Sequence, residues 1–221
     1  MNALLAVLWK DLLTEWRSRE RVVAMLLLSL LMVVVFHFSL PGGATTETRS
    51  HAPGLLWVAY CFAALLGLGR SFALELDNDA IASLARAPCD RGWVLLGKAL
   101  ANFAILAFVQ AATACAFALV FELDLTPFAL ELAGAVALGS LGLCSVGTFF
   151  AAISVRTRLR EVMLPMLALP FYIPVLAAAA RSTTALFETG ALPFEPIQFL
   201  IVTDASYLIA SFVLADFILD E

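Results

Sequence analysis

Six long apolar stretches alternate with short polar ones along this chain. They run 22–40, 53–72, 93–121, 128–153, 162–180 and 197–219. About 20 apolar residues cover a hydrocarbon core of roughly 30 Å as a helix, so each stretch is long enough to span. A seventh element precedes them. Residues 2–20 place Leu5, Leu8, Trp9, Leu12 and Trp16 on one side at helical spacing, and Lys10, Asp11, Thr14, Arg17 and Ser18 on the other. Such a helix lies at the headgroup boundary, and its two Trp residues suit that level. The predicted fold is an all-α integral membrane protein: a single domain of six spans led by an interfacial helix.

The polar breaks carry local detail. Pro41-Gly42-Gly43 stops the first span, and Pro53 is expected in the first turn of the second, where its missing N–H costs nothing. The third span is longer than a bilayer requires and must tilt or protrude. Lys98, near its start, is expected to snorkel back to the headgroups. Residues 122–127 form a tight turn. The fourth span carries Gly134, Gly139, Gly142 and Gly147, small residues that let helices pack closely. The fifth contains Pro165, Pro170 and Pro174, each of which removes a backbone donor and clashes with the preceding turn. A kink or break is expected there, followed by a polar loop over 181–196 with room for a short helix.

The longest interruption within the six-span pattern, 73–92, holds more than a connection needs. Glu75, Asp77, Asn78 and Asp79 precede a short amphipathic piece with Ile81 and Leu84 three apart, and 88–92 closes it. This loop reads as a docking and coupling element for a partner.

Composition supports the membrane reading. Of 221 residues, 62% are hydrophobic and 14% charged, with a mean hydropathy of +0.97. Soluble domains are nearer half apolar and a quarter charged. Net charge is −5, but the placement of the 13 Lys and Arg decides more. One side of the six-span layout receives Lys10, Arg17, Arg19, Arg21, then Arg70, Arg86, Arg91, Lys98, then Arg156, Arg158 and Arg160. Only Arg49 and Arg181 fall opposite. The positive-inside rule then puts both termini and the 73–92 loop in the cytoplasm. The amphipathic first 21 residues lack the features of a cleavable signal peptide.

Candidate chemistry is sparse. Gly92 to Lys98 fits the GxxxxGK spacing of a phosphate-binding loop. Ala99 stands where the Mg²⁺-holding Ser or Thr belongs, and the motif enters a membrane span. Any ATP hydrolysis therefore belongs to another chain. Cys61, Cys89, Cys115 and Cys144 form no CxxC pair and read as small packing residues. His37 and His51 flank the first external loop, either as interfacial residues or facing a cavity where imidazole could meet haem. Asp204 lies about 9 Å inside the last span, at 1.5 Å per residue. It is either a functional intramembrane acid or a wet helix-end residue satisfied by a neighbour. Gln110 reads as interhelical glue. No catalytic constellation, metal cluster, bound cofactor or nucleic-acid partner is indicated.

The chain resembles the heme exporter protein B family, CcmB. The resemblance is carried by Ala52-Pro53-Gly54-Leu55-Leu56-Trp57-Val58-Ala59, by Arg70-Ser71-Phe72 with the acidic loop to Pro88, and by Leu169-Pro170-Phe171-Tyr172-Ile173-Pro174. Length and six-span layout agree along the whole chain. The loop departs from the family pattern at Asn78-Asp79, Ile81-Ala82 and Pro88-Cys89-Asp90. The resemblance implies an ABC-2-like permease in the bacterial inner membrane, acting in c-type cytochrome biogenesis. It implies a cytoplasmic ATPase partner, CcmA, and membrane partners CcmC, CcmD and the haem chaperone CcmE. The Trp-rich haem-handling motif of CcmC is absent, so no stable haem site is expected. Two alternatives share the layout: a permease for a lipid, glycan or drug, and an assembly scaffold without transport.

Overall fold

The computed structural model describes residues 3–39, 46–71, 91–154 and 160–220. Seven α-helices occupy them: α1 (Ala3–Ser18), α2 (Glu20–Ser39), α3 (Thr46–Ser71), α4 (Arg91–Val120), α5 (Ala129–Ser154), α6 (Arg160–Thr189) and α7 (Phe194–Asp220). A 3-10 turn at Thr126–Phe128 leads into α5. Helices α2 to α7 are each long and apolar enough to cross a membrane, so the all-α, six-span fold class expected from the apolar pattern is the one observed.

Two helices form the centre. In α3 and α5, 67% and 61% of the apolar window is buried, against 17% in α2 and α7. Helix α3 packs on α2, α6 and α5, and α5 on α6, α7 and α4. Trp57 and Tyr60 of α3, Leu143 of α5 and Tyr172 of α6 are fully enclosed. Leu27 and Leu31 of α2 and Ile201 and Val213 of α7 point outward. Lipid tails are as apolar as Leu, so burial alone does not hold such helices together. Close packing and interhelical hydrogen bonds do.

Both are present. Gly139 lies against Trp57 and Ala179, and Gly147 against Leu68 and the Tyr172 hydroxyl, positions where any Cβ would collide. Gly134 faces open space, so one of the four glycines expected to serve packing does not. Ser29 and Thr113 hydroxyls pair at 2.8 Å between α2 and α4. Tyr60 donates to the Gln110 carbonyl (3.0 Å) and Trp57 Nε1 to Thr183 (3.1 Å). The Ser140 hydroxyl meets Gln110 Oε1 at 2.6 Å, joining α4 to α5. Each such bond contributes about 0.6 kcal/mol on average in a membrane. Cys61 and Cys144 are buried, whereas Cys115 is exposed.

Several expectations on the polar breaks are corrected. Helix α3 starts at Thr46, so Pro53 lies inside it, and exposed His51 belongs to a helix rather than a loop. Helix α6 runs from Arg160 to Thr189 with Pro165, Pro170 and Pro174 inside it, so of the kink or break expected there the break does not occur. The bend-prone positions are flanked by close contacts, Leu164 and Ala168 before and Tyr172 and Val175 after, all buried. Tertiary packing holds the helix together where local propensity would interrupt it. The polar loop expected over 181–196 is mostly helix, and only residues 190–193 connect α6 to α7. Gly190, at φ 73°, ends α6 in the left-handed conformation that glycine adopts freely, its N–H bonding the Leu186 carbonyl at 2.9 Å. At the α4–α5 turn, the hydroxyl and N–H of Thr126 donate to Asp124 (2.7 and 3.0 Å) and hold its carboxyl below the usual carboxylate range.

Candidate functional site: an ion-pair seam between α1 and the bundle

The loop residues singled out above, Glu75, Asp77, Asn78, Asp79, Ile81 and Leu84, lie outside the described residues, as does Cys89. What the structure does describe is the protein directly beyond that loop, where α4 begins.

There α1 packs along α4. Gly97 makes the approach possible: a Cβ at that position would stand 2.7 Å from the Leu4 carbonyl oxygen and 3.2 Å from Val7 Cβ. The outward side of α1 carries Leu5, Trp9, Leu13 and Trp16, all exposed. The inward side carries Leu4, Val7, Asp11 and Glu15, so two acids face protein.

Each acid is answered. Lys98 is 1% exposed, and its Nζ reaches Asp11 Oδ2 at 3.1 Å. Asp11 Oδ1 also meets Lys10 at 3.2 Å. The expected snorkelling of Lys98 to the headgroups is thus corrected: an acid from α1 comes to the lysine instead. One turn further along both helices, Glu15 Oε2 accepts from Arg21 Nε at 2.8 Å and Oε1 accepts from the Val22 N–H at 3.1 Å. Arg21 Nη1 donates to Asn102 Oδ1 (2.9 Å), and Asn102 Nδ2 donates to Thr148 Oγ1 (3.0 Å). Glu15, Arg21, Asn102 and Thr148 are all buried. This chain of side chains crosses α1, α2, α4 and α5.

The pattern has a simple basis. Asp11 and Glu15 are four apart on α1, and Lys98 and Asn102 four apart on α4, so each pair shares one helix face. The helical spacing of the acids with Leu4 and Val7 could have revealed an inward stripe. Grouping Asp11 with Lys10 and Arg17 by polarity hid it. A buried pair of charges in this geometry contributes little net stability, but it fixes how four helices sit together, since loss of one partner strands the other.

A second buried polar group lies apart from the seam. Asp204 of α7 is 2% exposed, and neither of its oxygens has a hydrogen-bond partner among the described residues. Its carboxylate occupies the space that Gly142 leaves, since a Cβ there would lie 2.5 Å from Oδ1 and 2.9 Å from Val175 Cγ1. His37 packs edge-on against Phe38 and Phe121, and His51 is exposed. Among the described residues no cluster of three or more metal-ligating side chains occurs.

Comparison with known proteins agrees with this layout. Residues 2–220 match the family model described as CcmB protein. The chain is 32% identical over 166 residues to "Heme exporter protein B" of Paracoccus denitrificans, covering 75% of this chain and 73% of that protein. It is 36% identical over 130 residues to the protein of that name in Rhodobacter capsulatus, 59% of each chain. A third, from Pseudomonas aeruginosa, is 28% identical over 69% of each. With a family match running almost end to end over a six-span helical bundle, this chain belongs to the CcmB family.

Proposed function

We propose that this chain is the permease subunit of a haem exporter in the bacterial inner membrane, driven by a separate ATPase subunit and serving c-type cytochrome assembly. The family match over residues 2–220 carries the reading, and the relatives named "Heme exporter protein B" supply its substrate class. The chain itself is not the ATPase. Its single phosphate-loop-like stretch, from Gly92 to Lys98, is folded into α4, and Lys98 is occupied by Asp11. A CcmA-like ATPase therefore supplies the energy, and CcmC-, CcmD- and CcmE-like proteins complete the assembly.

In this reading the ATPase docks on the 73–92 loop, with Ile81 and Leu84 in a groove and Glu75, Asp77 and Asp79 around its rim. A push there reaches α4 within its first turns. The Asp11–Lys98 and Glu15–Arg21–Asn102–Thr148 contacts then carry it to α1, α2 and α5 together. Rigid elements joined by charge-assisted bonds move as a unit.

Affinity purification of the tagged chain from its own membranes in mild detergent tests the assignment. An ABC-type ATPase subunit copurifies if the chain is a permease. Its absence, with the chain intact and the other membrane partners present, would make the chain a scaffold. Orientation has its own test, resting on the split of cations across the membrane. Cys89 is expected to react with a membrane-impermeant maleimide only in inside-out vesicles. Labelling in intact spheroplasts would invert the topology.

A further inference from the structure

A groove of about 400 Å³ opens between α1, α2 and α4, within the range of small-ligand sites. Its walls are apolar: Leu12 from α1, Val22 and Val23 from α2, Ala104 and Phe108 from α4. Glu15 lines it too, but both carboxylate oxygens are taken, by Arg21 and by the Val22 N–H, so no free negative charge faces the interior. Ile105, Trp16 and Arg19 complete the lining, and the last two are exposed.

Arg19 is the informative residue. It sits at the α1–α2 junction with φ 56°, a left-handed conformation that glycine adopts at least cost. An Arg held there retains backbone strain, and such strain collects at ligand clamps. Its side chain is also fixed. Nε donates to the Trp16 carbonyl at 3.3 Å, and the guanidinium lies 5.4 Å over the Trp16 ring. Its two terminal nitrogens have no partner among the described residues. A planar, oriented guanidinium with free N–H groups suits bidentate contact with phosphate. Arg17 is exposed beside it, and exposed Glu20 is the one nearby acid in the adjoining turn.

We propose that this groove is a specific phospholipid site, with an acyl chain between α1, α2 and α4 and the phosphate of an anionic headgroup on Arg19. An apolar slot lined by one exposed cation matches the two halves of such a lipid. Trp16 belongs at the same depth, since indole favours the headgroup level. The net positive charge of Arg17, Arg19 and Glu20 favours phosphatidylglycerol over zwitterionic phosphatidylethanolamine.

The test uses the full chain, purified from nanodiscs containing phosphatidylglycerol and phosphatidylethanolamine in equal amounts, with retained lipid quantified by mass spectrometry. The wild type is expected to retain phosphatidylglycerol in preference to phosphatidylethanolamine. Arg19→Gln should retain at least about tenfold less, the effect of losing charge-assisted bonds. Arg19→Gly relieves the backbone strain, so it should melt no lower than wild type yet lose the lipid equally. Ala104→Trp should exclude the acyl chain by filling the slot, while Arg17→Gln should change little. Equal retention by Arg19→Gly and wild type would overturn the proposal. So would equal retention of the two lipids, or a lipid-free dimer in which a second copy fills the groove.

Discussion

Replacing Arg21 by Met is expected to destabilise the folded chain by about 3–5 kcal/mol, the cost of leaving a buried charge without its partner. Glu15 is 6% exposed and takes one oxygen's bond from Arg21, so nothing nearby takes over its charge. For a chain of this length the loss corresponds to a fall in Tm of roughly 10 °C. The sign of the second substitution is the sharper part. Glu15→Leu combined with Arg21→Met removes both charges and should melt above Arg21→Met alone, because paired removal leaves no stranded ion. It stays below wild type, since Asn102 Oδ1 loses the donor that Arg21 supplied at 2.9 Å. Thermal melts in detergent decide it. Arg21→Met melting with the wild type, or the double variant melting no higher than the single, would show that the seam does not hold the helices.

Leu84→Asp is expected to abolish copurification of the ATPase subunit, while Glu75→Gln weakens it only at raised salt. Interface energy concentrates in a few central buried residues, where truncation costs about 2 kcal/mol or more, roughly thirtyfold in affinity. Rim charges act mainly on encounter and specificity and are screened. Both positions lie between α3 and α4, so neither substitution touches a span. Normal recovery of the ATPase with Leu84→Asp, at full activity, would remove the loop from the coupling path.

The six spans were legible because a helix in lipid must be apolar over about 20 residues, and few other structures impose such a run. Their ends were less so. Thr46 to Ala52 reads as polar loop by composition, yet α3 begins there. Arg181 to Thr189 reads the same way and completes α6. In both places the helix extends beyond its apolar part, and composition tracks depth in the membrane rather than helicity. The three prolines of α6 marked a kink or a break by local sterics, and packing around Tyr172 and Val175 accompanies a helix that is not broken there. The buried state of Asp204 depends on α5 bringing Gly142 opposite it, and no spacing within α7 encodes that meeting. The seam is an intermediate case. The matched four-residue intervals of Asp11 and Glu15 and of Lys98 and Asn102 are visible in the chain, but their pairing is a property of how α1 folds back.

The role proposed for this CcmB family member is haem delivery to c-type cytochromes. It is tested most directly by deleting the gene and measuring covalently bound haem in membrane and periplasmic proteins, beside spectra of b-type cytochromes. Covalent haem is expected to disappear, b-type spectra to persist, and the wild-type chain supplied in trans to restore the c-type signal. Normal covalent haem in the deletion strain, with no second copy of the gene present, would contradict it.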